Sequence, residues 1–232
     1  MDFYREAVII VEREVDHGSL VNTFIPDVFR DCTWAPLLTI TVEVHDILVQ
    51  EFFLNAFEEG DHLNCWVRGK EFSISTLSIQ NLLQIQLVIL KSSLPYDNRR
   101  TLVSEVASNL GVTQKRQSLH SMSFSPAMRA LAYIMLYNLY LVRNLTTLSQ
   151  PRALFLHDFY MKKDIDSCAH IYHLLAKCVN KKKTWMTLPF LGLIMSILHQ
   201  EKVKISPGLP VMKRENPISA LTMTGAKLVF RK

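Results

Sequence analysis

Cys65-Trp-Val-Arg-Gly-Lys-Glu-Phe-Ser-Ile-Ser-Thr-Leu-Ser-Ile-Gln-Asn-Leu-Leu-Gln84 is the stretch from which the fold can be read. Its pattern predicts a strand, a tight turn, a second strand and then a capped helix. Val67 and Phe72 flank a turn built on Arg68-Gly69-Lys70, where Gly69 can supply the positive φ that a short hairpin demands. Ser75 is placed to accept from the first turn of a helix whose apolar face is Ile79, Leu82 and Leu83. The unit contains no catalytic chemistry.

Upstream, a short strand is expected within residues 4–15, and helical spacing runs from Leu20 to Phe29, interrupted by Pro26. Trp34 and Pro36 mark a loop. A clearer helix is expected from Glu43 to Phe57, with Val44, Ile47, Leu48 and Phe52 on its apolar side and Gly60 as its end. Downstream, the stretch around Ser92 to Arg100 is polar. Leu102, Val106 and Leu110 suggest a short helix stopped by Gly111, and Thr113 to Ser123 reads as an exposed basic loop.

The second half reads as a bundle. Ser125-Pro126 is a cap followed by proline at the first helical position, opening a helix to about Arg143. Further helices are expected over roughly 150–162, from near Asp166 to about Lys182, and from Pro189 to about Lys202. Short connections favour antiparallel neighbours. Prolines 207, 210 and 217 indicate a poorly ordered C-terminal tail. The expected fold is mostly α: a helical bundle with one small β-hairpin. Residues 1–205 form the domain, with the hairpin at 62–74 and the bundle at 125–203, and 206–232 form the tail.

Composition narrows the function classes. At 232 residues, 49% apolar and 20% charged, the chain can bury a sizeable core. The net charge of +5 comes from scattered basic pairs and one triplet, Lys181-Lys182-Lys183, which permits an acidic partner without indicating one. Four cysteines without Cys-x-x-Cys spacing read as reduced, buried thiols. There is no secretory leader and no apolar run long enough to span a bilayer, so an intracellular, soluble protein without membrane contact is expected. Nucleus and cytoplasm are not distinguishable.

Several segments follow one another in a characteristic order: Glu12-Arg-Glu-Val-Asp16, Trp34, Val49-Gln-Glu-Phe52, Val67-Arg-Gly-Lys70, Ser125-Pro-Ala-Met-Arg129, Pro151-Arg-Ala-Leu154, and Ala176 to Lys183 before Leu188-Pro-Phe-Leu191. This order resembles the plant transposon protein domain of plant retroelement-derived reading frames, over roughly residues 4–205. A weaker similarity is to the plant mobile domain. The resemblance implies no established catalytic residues. Because it begins almost at Met1, it is compatible with a fragment of a longer element.

Four constellations admit a chemical reading. Cys168, His170, His173 and Cys178 are zinc-ligand types. On one helix, however, His170 and Cys178 lie about 12 Å apart along the axis, too far for bonds of ~2.0–2.3 Å to one ion. Arg129, Tyr133, Tyr137 and Tyr140 could stack single-stranded bases. The opposite face of the same helix is also apolar, which favours burial. Lys181, Lys182 and Lys183 could bind phosphate or direct nuclear import, or simply close a helix C-terminus. Asp164 and Asp166 resemble a metal pair, but the second is better placed as a helix cap. No nucleophile elbow, phosphate-binding glycine loop, protease motif or zinc knuckle is present.

The reading is a non-enzymatic module without cofactor, metal or small-molecule substrate, acting through a protein partner or self-association. The alternative is a nucleic-acid-binding module of a plant transposable element. Residues for either contact would be Lys115, Arg116, Lys181, Lys182 and Lys183.

Overall fold

The computed structural model describes residues 8–9, 11–32, 34–38, 40–85, 103–112, 118–140, 142, 146–181 and 187–219. Strands β3 (His62–Val67) and β4 (Lys70–Ile74) form the expected hairpin, with Val67 opposite Lys70. Arg68 and Gly69 between them have φ of +49° and +77°. Two left-handed residues let a two-residue turn follow the right-handed twist of its strands. The non-glycine member is held from outside: the Arg68 N–H donates to Glu51 Oε1 at 2.7 Å, and its Nε lies 3.1 Å from Glu51 Oε2.

Glu51 belongs to α3 (Asp46–Asn55), which ends two residues before the expected Phe57. Ala56 turns extended, and Phe57–Glu59 becomes a third strand, β2, whose Phe57 pairs with Asn64. Gly60, φ +63°, therefore serves the β2–β3 turn rather than ending the helix. The sheet's inner face, Leu63, Cys65, Val67, Phe72 and Ile74, is buried, with the Cys65 thiol donating to the Phe52 carbonyl. After β4 comes α4 (Thr76–Leu83). The Ser75 hydroxyl accepts from the Ser78 N–H, while the Ser78 hydroxyl accepts from the Ser75 N–H at 2.7 Å. This reciprocal cap satisfies two donors that a helix start leaves unpaired.

The remaining described elements are β1 (Val8–Ile9), α1 (Ile25–Asp31), α2 (Ala35–Leu38), α5 (Val103–Asn109), β5 (Leu119–His120), α6 (Pro126–Ile134), β6 (Thr147–Leu148), α7 (Gln150–Tyr160), α8 (Ser167–Lys181), β7 (Thr187–Leu188) and α9 (Leu191–Gln200). The fold is mostly α with one small antiparallel sheet, ordered β2-β3-β4. Two strand pairs of two residues each, β1–β7 and β5–β6, pin loops together. The segment expected as an exposed loop up to Ser123 thus carries a strand and a short 3₁₀ turn, with Leu119 and Ser121 fully covered. Trp34 and Pro36 fall at a one-turn helix instead of a loop.

Helices of the second half pack most extensively on the first half: α7 on α5, α8 on α4 and α3, and α9 on α3. An aromatic cluster sits between them. Trp34 meets Phe155 and Phe159 edge to face at 5.4 and 5.8 Å, and Phe29 meets Phe159 at 4.9 Å. The helix opened by Ser125 does not run regularly to Arg143. It widens at Met135–Leu139 into a π-helical turn and ends at Tyr140. Inside that turn Asn138 is buried, accepting from the Arg13 N–H (2.8 Å) and donating to the Arg13 carbonyl (2.9 Å). A wider turn re-aims a side chain, and here it lets a carboxamide stand in for a neighbouring strand.

The segment beyond Ser206 has no helix among its described residues, 207–219, and their sole strand pairing is the bridge between Ile218 and Val15. It nevertheless lies along the core. The Met212 N–H donates to the Val44 carbonyl, the His45 ring engages the Pro210 carbonyl, and Arg214 donates to the carbonyls of Ile40 and Val42. Prolines interrupt the N–H donors a ladder would need, so side chains do much of the fastening. From the other side Arg13 Nε donates to the Asn216 carbonyl at 2.7 Å.

Candidate functional site

Of the basic residues expected to make contacts, Lys115, Arg116, Lys182 and Lys183 lie outside the described residues, and Lys181 is exposed at the end of α8. Lys181 borders a cleft of about 430 Å³, the largest of the cavities described below. Its walls are Tyr140 at the end of the central helix (α6 with its π turn), Ser149 and Arg152 at the start of α7, and Leu174, Lys177 and Lys181 along α8. Lys177 and Lys181 are four residues apart on one helix, hence on one face, about 6 Å apart along the axis. The Arg152 guanidinium sits 5.7 Å from the centre of the Tyr140 ring, which orients it. Ser149 is the N-cap of α7 but makes no capping hydrogen bond with its hydroxyl. No Asp or Glu is among the described residues lining the cleft.

Sequence reasoning found Lys181 but not Arg152 or Lys177. Lys177 was within reach, since it precedes Lys181 by one helical turn, whereas Arg152 comes from another helix and no spacing links it to them. The tyrosine stripe is divided by the fold. Tyr137 is buried under the Arg13 guanidinium, 5.2 Å from the ring centre, and burial pushes its hydroxyl pKa far up. Arg129 donates to the carbonyls of Met122 and Phe124, holding the turn before its own helix. Tyr140 alone of the stripe lines the cleft, and its ring also meets Phe155 and His170 edge to face at 5.4 and 5.3 Å.

The zinc-ligand types go to separate structural tasks. His170 stacks on Phe155 at 4.6 Å. The Cys178 thiol donates to the Thr187 carbonyl, and burial pushes the Cys168 and Cys178 thiols up to about 11 and about 12. Among the described residues no three His, Cys, Asp or Glu side chains converge as metal ligands. Asp166 accepts from the Ala169 N–H at 2.9 Å, a cap for α8.

Two other cavities are smaller. One of about 120 Å³ holds an acid–base cluster: His157 Nδ1 lies 3.0 Å from Asp158 Oδ1, Asn109 engages His157 Nε2 at 3.2 Å, and Lys163 donates to Asp158 at 2.8 Å. Both ring nitrogens are engaged, so the imidazole links α5 to α7. The other, about 210 Å³ between Pro36, Leu82 and Ser196, has no cation among its described lining residues. On the outer face of the sheet, Trp66 and Phe57 are 61% and 53% exposed. Phe57 pairs with Asn64, two residues from Trp66, so the register makes the two rings diagonal neighbours. Among the described residues no helix is long and apolar enough to cross a membrane.

A family model described as "Putative plant retrotransposon-related domain" matches residues 30–204. No curated protein and no solved structure matches the chain.

Proposed function

The chain belongs to the plant retrotransposon-related domain family, and from that premise we propose that it works as a non-enzymatic protein-interaction or assembly module. The observation that carries this reading is the outer face of the sheet. Two large aromatic side chains, Phe57 and Trp66, stand diagonal to one another and mostly in solvent. Exposed apolar patches of this kind mark contact surfaces. Covering ~200 Å² of that surface is worth roughly 5 kcal/mol at ~25 cal/mol per Å², before the cost of association. Glu71 opposite Trp66 and Glu59 beside Phe57 give the patch a polar rim.

A second copy of the chain is the partner to test first. Light scattering over a concentration series should show self-association by the natural chain. Its loss is expected in the Phe57→Ser, Trp66→Ser double variant, whose unfolding free energy should fall by no more than about 2 kcal/mol because both sites are largely exposed strand positions. A natural chain that stays monomeric at every concentration would remove self-association and leave a different protein as the partner.

A second reading, nucleic-acid binding, is favoured by one observation, the cleft at which Arg152, Lys177 and Lys181 converge.

A further inference from the structure

We infer that the cleft between Tyr140, the start of α7 and the second half of α8 binds phosphate groups, those of a free nucleotide or of a nucleic-acid strand. The inference rests on the nucleic-acid reading and gives it a site. Three cations from two helices line one volume, and converging like charges of that kind favour an anionic ligand. The geometry suits phosphate in particular. Arg152 is oriented by Tyr140, and a planar guanidinium offers paired N–H donors at the spacing of phosphate oxygens. Lys177 and Lys181 add two compact charges along the facing helix. The start of α7 brings the positive end of a helix dipole to the same wall.

Size separates this cleft from the other two. At about 430 Å³ it falls within the ~300–1,000 Å³ range typical of small-molecule sites, whereas the His157 cavity is about 120 Å³ and mixes both charge signs. The Leu82 cavity has no cation among its described lining residues. The Tyr140 ring is already engaged by Arg152, Phe155 and His170, so it serves to hold the guanidinium in place. Recognition is therefore by the phosphate and not by the base, and sequence preference should be absent.

The test uses the full chain with two probes, fluorescent ADP and a short labelled single-stranded oligonucleotide, read by anisotropy over a salt series. Arg152→Gln, and the pair Lys177→Gln with Lys181→Gln, should each weaken binding by roughly tenfold or more. Lys202→Gln with Lys204→Gln, exposed lysines outside the cleft, should leave it unchanged. Circular dichroism of each variant confirms the fold. For the oligonucleotide, log K against log salt should fall with a slope of about −2, from three contacts at roughly 0.7 each. Cleft-dependent binding of ADP identifies a free nucleotide as a sufficient ligand, and cleft-dependent binding of the oligonucleotide alone identifies the strand. Oligonucleotide binding that survives all the cleft substitutions overturns the site while leaving the nucleic-acid reading standing. Absence of binding by the natural chain to either probe overturns both.

Discussion

The hairpin–helix unit and the segment Glu12–Val15 are both fastened by hydrogen bonds of ordinary length, but from opposite kinds of contact. In the first, partners are near in the chain: Ser75 with Ser78, three residues apart, and Arg68 with Glu51, seventeen apart. In the second, Arg13 meets Asn138 across 125 residues, Glu12 meets Gly192 across 180, and Arg13 meets Asn216 across 203. The Glu12 carboxylate accepts the Gly192 N–H at 3.0 and 3.1 Å at the start of α9, with Arg214 adding a favourable charge. Local contacts close small loops and can form early. Distant ones require most of the chain to be placed first. The segment is thus the point at which the central helix, α9 and the C-terminal strap are joined, whereas the hairpin is a self-contained unit set on α3.

The contrast predicts unequal sensitivity, greatest at the segment. Asn138→Ala should cost about 2–4 kcal/mol in urea unfolding, because it strands a buried N–H and a buried carbonyl of Arg13 together. Asn64→Ala in the hairpin, which loses only a bond to the exposed Glu59, should cost under about 0.5 kcal/mol. Equal costs at the two sites would erase the distinction.

Glu12 gives the segment a pH signature. Burial raises its pKa to about 6, against 4.5 ordinarily, despite the opposing Gly192 N–H and the Arg214 charge. A carboxyl whose folded pKa is raised binds its proton more tightly when folded. Its contribution is therefore present below about pH 4.5 and lost as pH rises through about 6. The difference is on the order of 2 kcal/mol. Glu12→Gln should flatten this part of the stability profile and match or exceed the natural chain at pH 7, since the amide oxygen still accepts from Gly192. An unchanged slope between those pH values would show that Glu12 is not the group responsible.

An effect between those of Glu12 and Asn64 is expected in the hairpin turn. Gly69→Ala meets nothing within 4 Å, so its cost is the left-handed backbone alone, about 1 kcal/mol in thermal or urea unfolding. A loss larger than that of Asn138→Ala would place the more critical structure in the hairpin.

Legibility follows the same division. The two strands, the Arg68-Gly69 turn and the Ser75 cap were readable because each depends on residues within one or two turns. Phe57 was misplaced because its periodicity continues the helical stripe, and only pairing with Asn64 moves it into a strand. The π turn at Asn138 has no local signature, since it answers to Arg13. In the cleft, Lys181 was visible as one of a lysine run, and Lys177 could have been added from helical spacing. Arg152 could not be joined to them, because it comes from another helix.

The sequence by itself determined the helical class, the hairpin with its capped helix, and the family to which the chain belongs, because periodicity, caps and turn residues act over short chain distances. The tertiary structure alone decided that Glu12, Asn138, Gly192 and Asn216 converge, and that Arg152 faces Lys177 and Lys181. Those meetings are fixed by how whole helices pack around the Trp34–Phe155–Phe159 core, and no local spacing encodes that.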